Sequence, residues 1–188
     1  MGKTARPFLF KNIKKMACLL TTGRELPCKD SVGGIKAVYL ADFGTLGTLT
    51  VTSGEVTAIS GTPDLFQFDV KGNSNLEQAI TSSRENGTTF YEQTLNLTLT
   101  KLDLATQEEI VTIAKARPHV FVEDYNGNYF LIGAAHGADV SGGTIVTGSA
   151  MGDLSGFTLV FSAQETLPAY FVADSVVTGN TSASKIAP

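Results

Sequence analysis

From Thr94 to Thr100 leucine alternates strictly with small polar residues: Thr94-Leu95-Asn96-Leu97-Thr98-Leu99-Thr100. Side chains of a strand point to opposite faces with period two, so Leu95, Leu97 and Leu99 share one face. Thr94, Asn96, Thr98 and Thr100 share the other. Upstream, Leu76 to Ser82 is followed by Ser83-Arg84-Glu85-Asn86-Gly87, and Asn86-Gly87 offers the positive-φ residues of a tight reversal. The pattern predicts a long antiparallel hairpin over 76–101. Its second strand exceeds the usual length of roughly five or six residues. A strand pair of this length needs a surface to lie against, in its own subunit or in a neighbour.

The rest of the chain reads as short strands separated by turns. Expected strands are Ile35–Asp42, Thr48–Val51, Glu55–Ile59, Phe66–Val70, His119–Glu123, Asn128–Ile132, Thr144–Thr147, Phe157–Ser162 and Ala169–Val172. Ser53-Gly54 and Asp124-Tyr125-Asn126-Gly127 mark hairpin turns, Gly133 to Ala138 a loop, and Gly142-Gly143 a further turn. One helix is expected over about 106–117. Thr106-Gln107-Glu108-Glu109 fits a capping box, Ile110, Val111 and Ala114 form the apolar stripe, and Pro118 ends it. Asp103, Glu108 and Glu109 gather at its start, and Lys115 and Arg117 suit its C-terminal dipole. Phe66, Phe68, Phe90, Phe121, Phe130, Phe157, Phe161 and Phe171 occupy strand positions and are expected in the core.

The fold class that follows is mainly β: a β-sandwich or distorted barrel of antiparallel strands with one short helix. The domain reading is a basic arm over 1–34, a β domain over 35–173 and a polar tail over 174–188.

Charge is unevenly spread. Residues 1–36 carry eight Lys/Arg and two Asp/Glu, so 8 − 2 = +6. The remainder carries six and sixteen, so 6 − 16 = −10, and the whole is −4. An acidic body argues against general nucleic-acid binding, while the basic arm suits an acidic surface on its own body or on another copy. No run approaches a membrane span and no secretory leader is recognisable, which points to a chain made and kept in a cytoplasm. Cys18 and Cys28 lack metal-site spacing and read as reduced thiols.

Catalytic chemistry has little to rest on. His119 falls in a strand pattern and His136 in a Gly/Ala loop, without a Gly-x-Ser-x-Gly elbow. Glu123 and Asp124 flank a turn, and no carboxylate has an evident partner to split two pKa values. No enzyme, cofactor, metal or small-molecule substrate is expected.

Two segments resemble a family. Cys28 to Leu40 (CKDSVGGIKAVYL) looks like the early segment of virion structural proteins of tailed bacteriophages, especially phages of Bacteroidetes-type hosts. Gly156 to Glu165 (GFTLVFSAQE), followed by Leu167-Pro168-Ala169-Tyr170-Phe171-Val172, is similar to their closing segment. With the order of strands, hairpin, helix and strands, residues 18–173 resemble a phage tail tube protein. The resemblance implies a virion location, hexameric rings stacked into a channel, contacts with other tail proteins, and genomic DNA that passes without specific binding. Asn96, Thr98 and Thr100 would then line the channel. Lys11, Lys14, Lys15, Arg24, Arg84 and Glu85 would make contacts between subunits or rings. A tail terminator, a connector ring, a type VI secretion tube-like protein, a ligand-binding sandwich and a hydrolase are the alternatives.

Overall fold

The computed structural model describes residues 22–26, 28–70 and 73–182. Residues 1–30 and 31–188 form separate compact units. Of the first, the described residues 22–26 and 28–30 are exposed, Arg24 and Cys28 among them. Lys11, Lys14, Lys15 and Cys18 lie outside the described residues.

The second unit is a sandwich of two sheets, and no closed barrel is formed among the described residues. Among the described residues eleven strands and two helices follow in order: β1 (Ile35–Ala41), β2 (Leu49–Thr52), β3 (Glu55–Ile59), β4 (Phe66–Asp69), β5 (Asn75–Ser83), β6 (Thr88–Thr100), α1 (Leu104–Ile113), β7 (His119–Asp124), β8 (Tyr129–Ile132), β9 (Asp139–Val146), β10 (Gly156–Glu165), β11 (Tyr170–Val172) and α2 (Asp174–Thr178). One sheet has seven strands in the order β2-β3-β11-β8-β7-β1-β4. The other has four, β5-β6-β10-β9, all antiparallel.

The alternation in β6 comes out as expected. Leu95, Leu97 and Leu99 are buried, while Asn96 and Thr98 are half-exposed and Thr100 is exposed. Opposite them on β10, Leu159 pairs with Leu97, Phe161 with Leu95 and Phe157 with Leu99. This core face meets Val38, Leu40, Val120, Val122 and Ile132 of the larger sheet in one apolar cluster. The other face of the larger sheet buries Tyr39, Phe121 and Leu131 with Leu46, Leu65, Val176 and Val177.

Several expectations need correcting. The helix begins at Leu104 and its N-cap is Asp103, whose carboxylate accepts from the Thr106 N–H (2.8 Å) and hydroxyl (2.7 Å). Thr106 is therefore inside the first turn, and the expected capping box does not form. An aspartate placed one turn earlier competes better for the same N–H groups. Ile110 is the helix's buried residue; Val111 is exposed, and Lys115 and Arg117 lie beyond its end. Neither Glu108 nor Glu109 is in the first turn.

The hairpin turn spans residues 84–87. Only Gly87 takes a positive φ, at 64°, so Asn86-Gly87 is not a two-residue reversal. Ser53 and Gly54 do form one, with φ of 55° and 90°. Gly142-Gly143, read as a turn, lies inside β9. A Cβ on Gly143 would come within 2.4 Å of the Thr158 carbonyl oxygen, so glycine there permits close strand approach. Phe66 and Phe171 are not core residues but are about half exposed, and Phe90 lies half-buried on the face of β6 opposite the leucines.

The C-terminal tail does not begin at Asp174. Residues 174–178 form α2, whose Val176 and Val177 are buried, and Thr181 bridges to Leu65. At the other boundary, residues 31–34 belong with the β unit. The Asn126 side chain holds both the N–H and the carbonyl of Val32, at 2.9 and 2.7 Å.

Candidate assembly interface

The four-stranded sheet shows one face to the core and one free face. Cross-strand partners share a face, so its register assigns every residue. On the free face Asn75 lies opposite Asn96, Glu77 opposite Thr94 and Ala79 opposite Glu92. The same face continues through Thr98 and Thr158 to Thr144, and through Ser162 to Asp139. Its strand residues include the carboxylates Glu77, Glu92 and Asp139 and no lysine or arginine. The expected channel residues Asn96, Thr98 and Thr100 all lie here. Two of them are engaged locally: Asn96 donates to Asn75 Oδ1 (3.2 Å) and the Thr98 hydroxyl to the Asn73 carbonyl (3.1 Å). Phe90, Val160 and Val146 share this face with the small polar groups, and its three carboxylates, without a strand lysine or arginine beside them, repel phosphate.

The edges of this sheet are β5 and β9. Arg84 and Glu85 sit exposed at the tip of the β5–β6 hairpin. Exposed apolar side chains flank both edges: Ile80 on β5 is 68% exposed and Ile145 on β9 is 59%. Beside β9 runs a groove of ≈ 220 Å³ between strand and helix, lined by Ile110, Ala114, Val140, Gly143 and Ile145. Neither edge carries a proline or a lysine, the residues that usually blunt an open strand.

A second polar centre ties the sheets together, and the sequence pattern did not reveal it. Gln93 is buried in phase with the leucines of β6. Its Oε1 accepts from the Gly133 N–H (3.1 Å) and its Nε2 donates to the Leu167 carbonyl (3.3 Å). Glu165, also buried, accepts through Oε1 from the Ala135 and His136 N–H groups and pairs through Oε2 with His136 Nδ1 (2.9 Å). His119 places Nδ1 2.7 Å from the Gly133 carbonyl, and its Nε2 accepts from the Gly44 N–H at 3.1 Å. Those partners require the neutral tautomer with the proton on Nδ1. Burial lowers the His119 pKa and outweighs the Gly133 carbonyl, which acts to raise it. Both histidines thus anchor the 133–138 loop. The one early sign was a glutamine standing where the leucine phase demands an apolar residue.

Glu123 is a further correction, since it does have partners. Its buried carboxylate accepts from the Tyr39 hydroxyl (2.9 Å) and pairs with Lys36, whose ammonium is largely exposed. Burial, with Glu123 and Asp174 nearby, pushes the Tyr129 hydroxyl up to about 12. Tyr39 is raised too, by burial first and then by its bond to Glu123. At Asp124 burial disfavours the charge. Four N–H donors from Asn126 and Asn128 outweigh it and hold the carboxyl below the usual range. These two acids organise the β7–β8 hairpin.

Among the described residues no group of three or more His, Cys, Asp or Glu could hold a metal ion, and no helix is long and apolar enough to cross a membrane. Searches against protein-family models, curated proteins and solved structures find no match to this chain.

Proposed function

We propose that this chain is a structural subunit of a phage tail tube, forming hexameric rings that stack into a channel for genome delivery. The observation that carries the reading is the four-stranded sheet, with two edges left open among the described residues and a free face whose strands carry three carboxylates, small polar groups and no lysine or arginine. Four is an even number of alternating strands, so β5 and β9 run in opposite directions. Copies related by rotation therefore present β9 to a neighbour's β5 in antiparallel sense, and repetition closes a ring. The free faces then form the wall, with Asn96, Thr98 and Thr100 toward the passage. DNA moves past a surface that repels phosphate. The basic residues Lys11, Lys14, Lys15 and Arg24 serve contacts between rings, against the acidic body.

Negative-stain electron microscopy of the purified full chain tests this. Cylinders with a central channel are the expected result. A protein that stays monomeric at every concentration and salt tried would refute it. Single rings that never lengthen would favour a terminator or connector instead.

A further inference from the structure

We infer that neighbouring copies are locked by an apolar contact on the core side of the joined edges, with Leu76 and Ile80 of β5 facing Ile145 and Val140 of the next copy's β9. This rests on the ring-forming reading above and names the surface through which it works.

The faces come first. Ile80 pairs with Tyr91 and Leu76 with Leu95, which places both on the core side of the sheet. On β9, Ile145 pairs with Phe157, Gly143 with Leu159 and Val140 with Phe161, again the core side. The large exposed apolar groups of the two edges thus lie on the same side, where strand joining would cover both. Gly143 offers no side chain, and this leaves the groove beneath β9 open to a neighbour's residues.

The register follows from using the full length of both strands. Nine residues of β5 set against eight of β9 place Asn75 opposite Val146 and Leu76 opposite Ile145. Continuing, Glu77 faces Thr144, Gln78 Gly143, Ala79 Gly142 and, across the irregularity at Ser141, Ile80 faces Val140 and Thr81 faces Asp139. Core-side residues meet core-side residues throughout. No two carboxylates fall opposite one another.

The same register has the stagger of a closed, tilted barrel. Within one copy Asn75, Asn96, Val160 and Gly142 lie in line across the sheet. Between copies Gly142 meets Ala79, so each copy advances by 79 − 75 = 4 residues over four strands. One residue per strand is the ratio at which barrel strands tilt by about 36°. A register chosen only to use the full length of both strands had no need to meet that condition.

The test measures assembly and fold together. Ile80→Asp and Ile145→Asp alter exposed groups, so each should melt as the wild type does. Each should also raise the concentration needed for ring formation at least about tenfold, because a charge replaces a buried apolar contact. Phe66→Asp, on the edge of the other sheet, should assemble normally. In a Cys18→Ser, Cys28→Ser background, Leu76→Cys with Ile145→Cys should cross-link neighbouring copies on oxidation. Wild-type protein that forms no rings would overturn the functional reading and this inference with it. Rings that form equally well with Ile80→Asp and Ile145→Asp would overturn only the inference. Cross-linking of Ile80→Cys to Ile145→Cys in place of the Leu76 pair would overturn the register.

Discussion

Gln93 on β6 and Gly133 after β8 are joined by a 3.1 Å hydrogen bond from the glycine N–H to the buried side-chain oxygen. Gly133 opens the loop that leaves β8 of the larger sheet, so the bond ties that loop to the smaller sheet. Gln93→Leu would continue the apolar phase of β6 yet strand the Gly133 N–H away from water. The expected cost is about 1–3 kcal/mol, read as a lower midpoint in urea unfolding. An unchanged midpoint would show that the loop finds another partner.

His119 makes stability depend on acidity. Its folded pKa lies below the ordinary 6.5 that it has when unfolded. The unfolded chain therefore binds the proton more readily. The contribution is fully present above about pH 6.5 and is lost as pH falls from there toward the folded value. Protonation also breaks the acceptor role of Nε2 toward Gly44. Urea midpoints between pH 7.5 and 5 should fall more steeply for the wild type than for His119→Phe, which keeps a ring against Phe43. Parallel curves would contradict this.

The two faces of β6 should respond differently to truncation. Leu97 is 1% exposed, and Leu97→Ala should cost about 2–5 kcal/mol through lost burial and the cavity it leaves. Asn96→Ala, on the free face, should cost under about 1 kcal/mol. In assembled material the second variant should leave ring formation intact. Equal destabilisation by the two would mean that the faces are not distinct.

Ending the chain after Ala173 removes α2 and with it the buried Val176 and Val177. Each buried valine contributes roughly 1.5–3 kcal/mol, so the loss is about 3 kcal/mol or more. In a chain of this size that lowers Tm by at least about 6 °C in a thermal melt. A melt unchanged by the truncation would make the segment dispensable, as a tail would be.

The elements read correctly from sequence were those whose signal is local and repeated. Leu95, Leu97 and Leu99 announce their face because burial of a two-sheet sandwich acts on every second residue. Ser53-Gly54 announces its turn because both residues must adopt positive φ. Other features were settled by distant partners. Asp103 displaced Thr106 as the cap only because the chain turns where it does after Lys101. Gly142-Gly143 looks like a turn until Thr158 is seen to require bare backbone beside it. Val176 and Val177 sit in a polar stretch, and only the face of Phe121 and Leu131 makes them core. Of the candidate interface, the polar phase of Asn96, Thr98 and Thr100 was legible. The edges were not, since sheet order depends on β10 inserting between β6 and β9. Gln93, Glu165 and Glu123 escaped for the same reason: their partners lie 29 to 87 residues away.

The pairing of β6 with β10 also sets a schedule for synthesis. The leucine face is complete at Thr100, while the strand that flanks it begins at Gly156. At translation rates of roughly 5–20 residues per second, β6 leaves the ribosome roughly 3–11 s ahead of β10. During that interval the apolar side of β6 has no β10 beside it, and the strand edge where β10 will later lie has no partner. Until β10 is made, Leu95, Leu97 and Leu99 lack the partners Phe161, Leu159 and Phe157 that cover them in the finished fold.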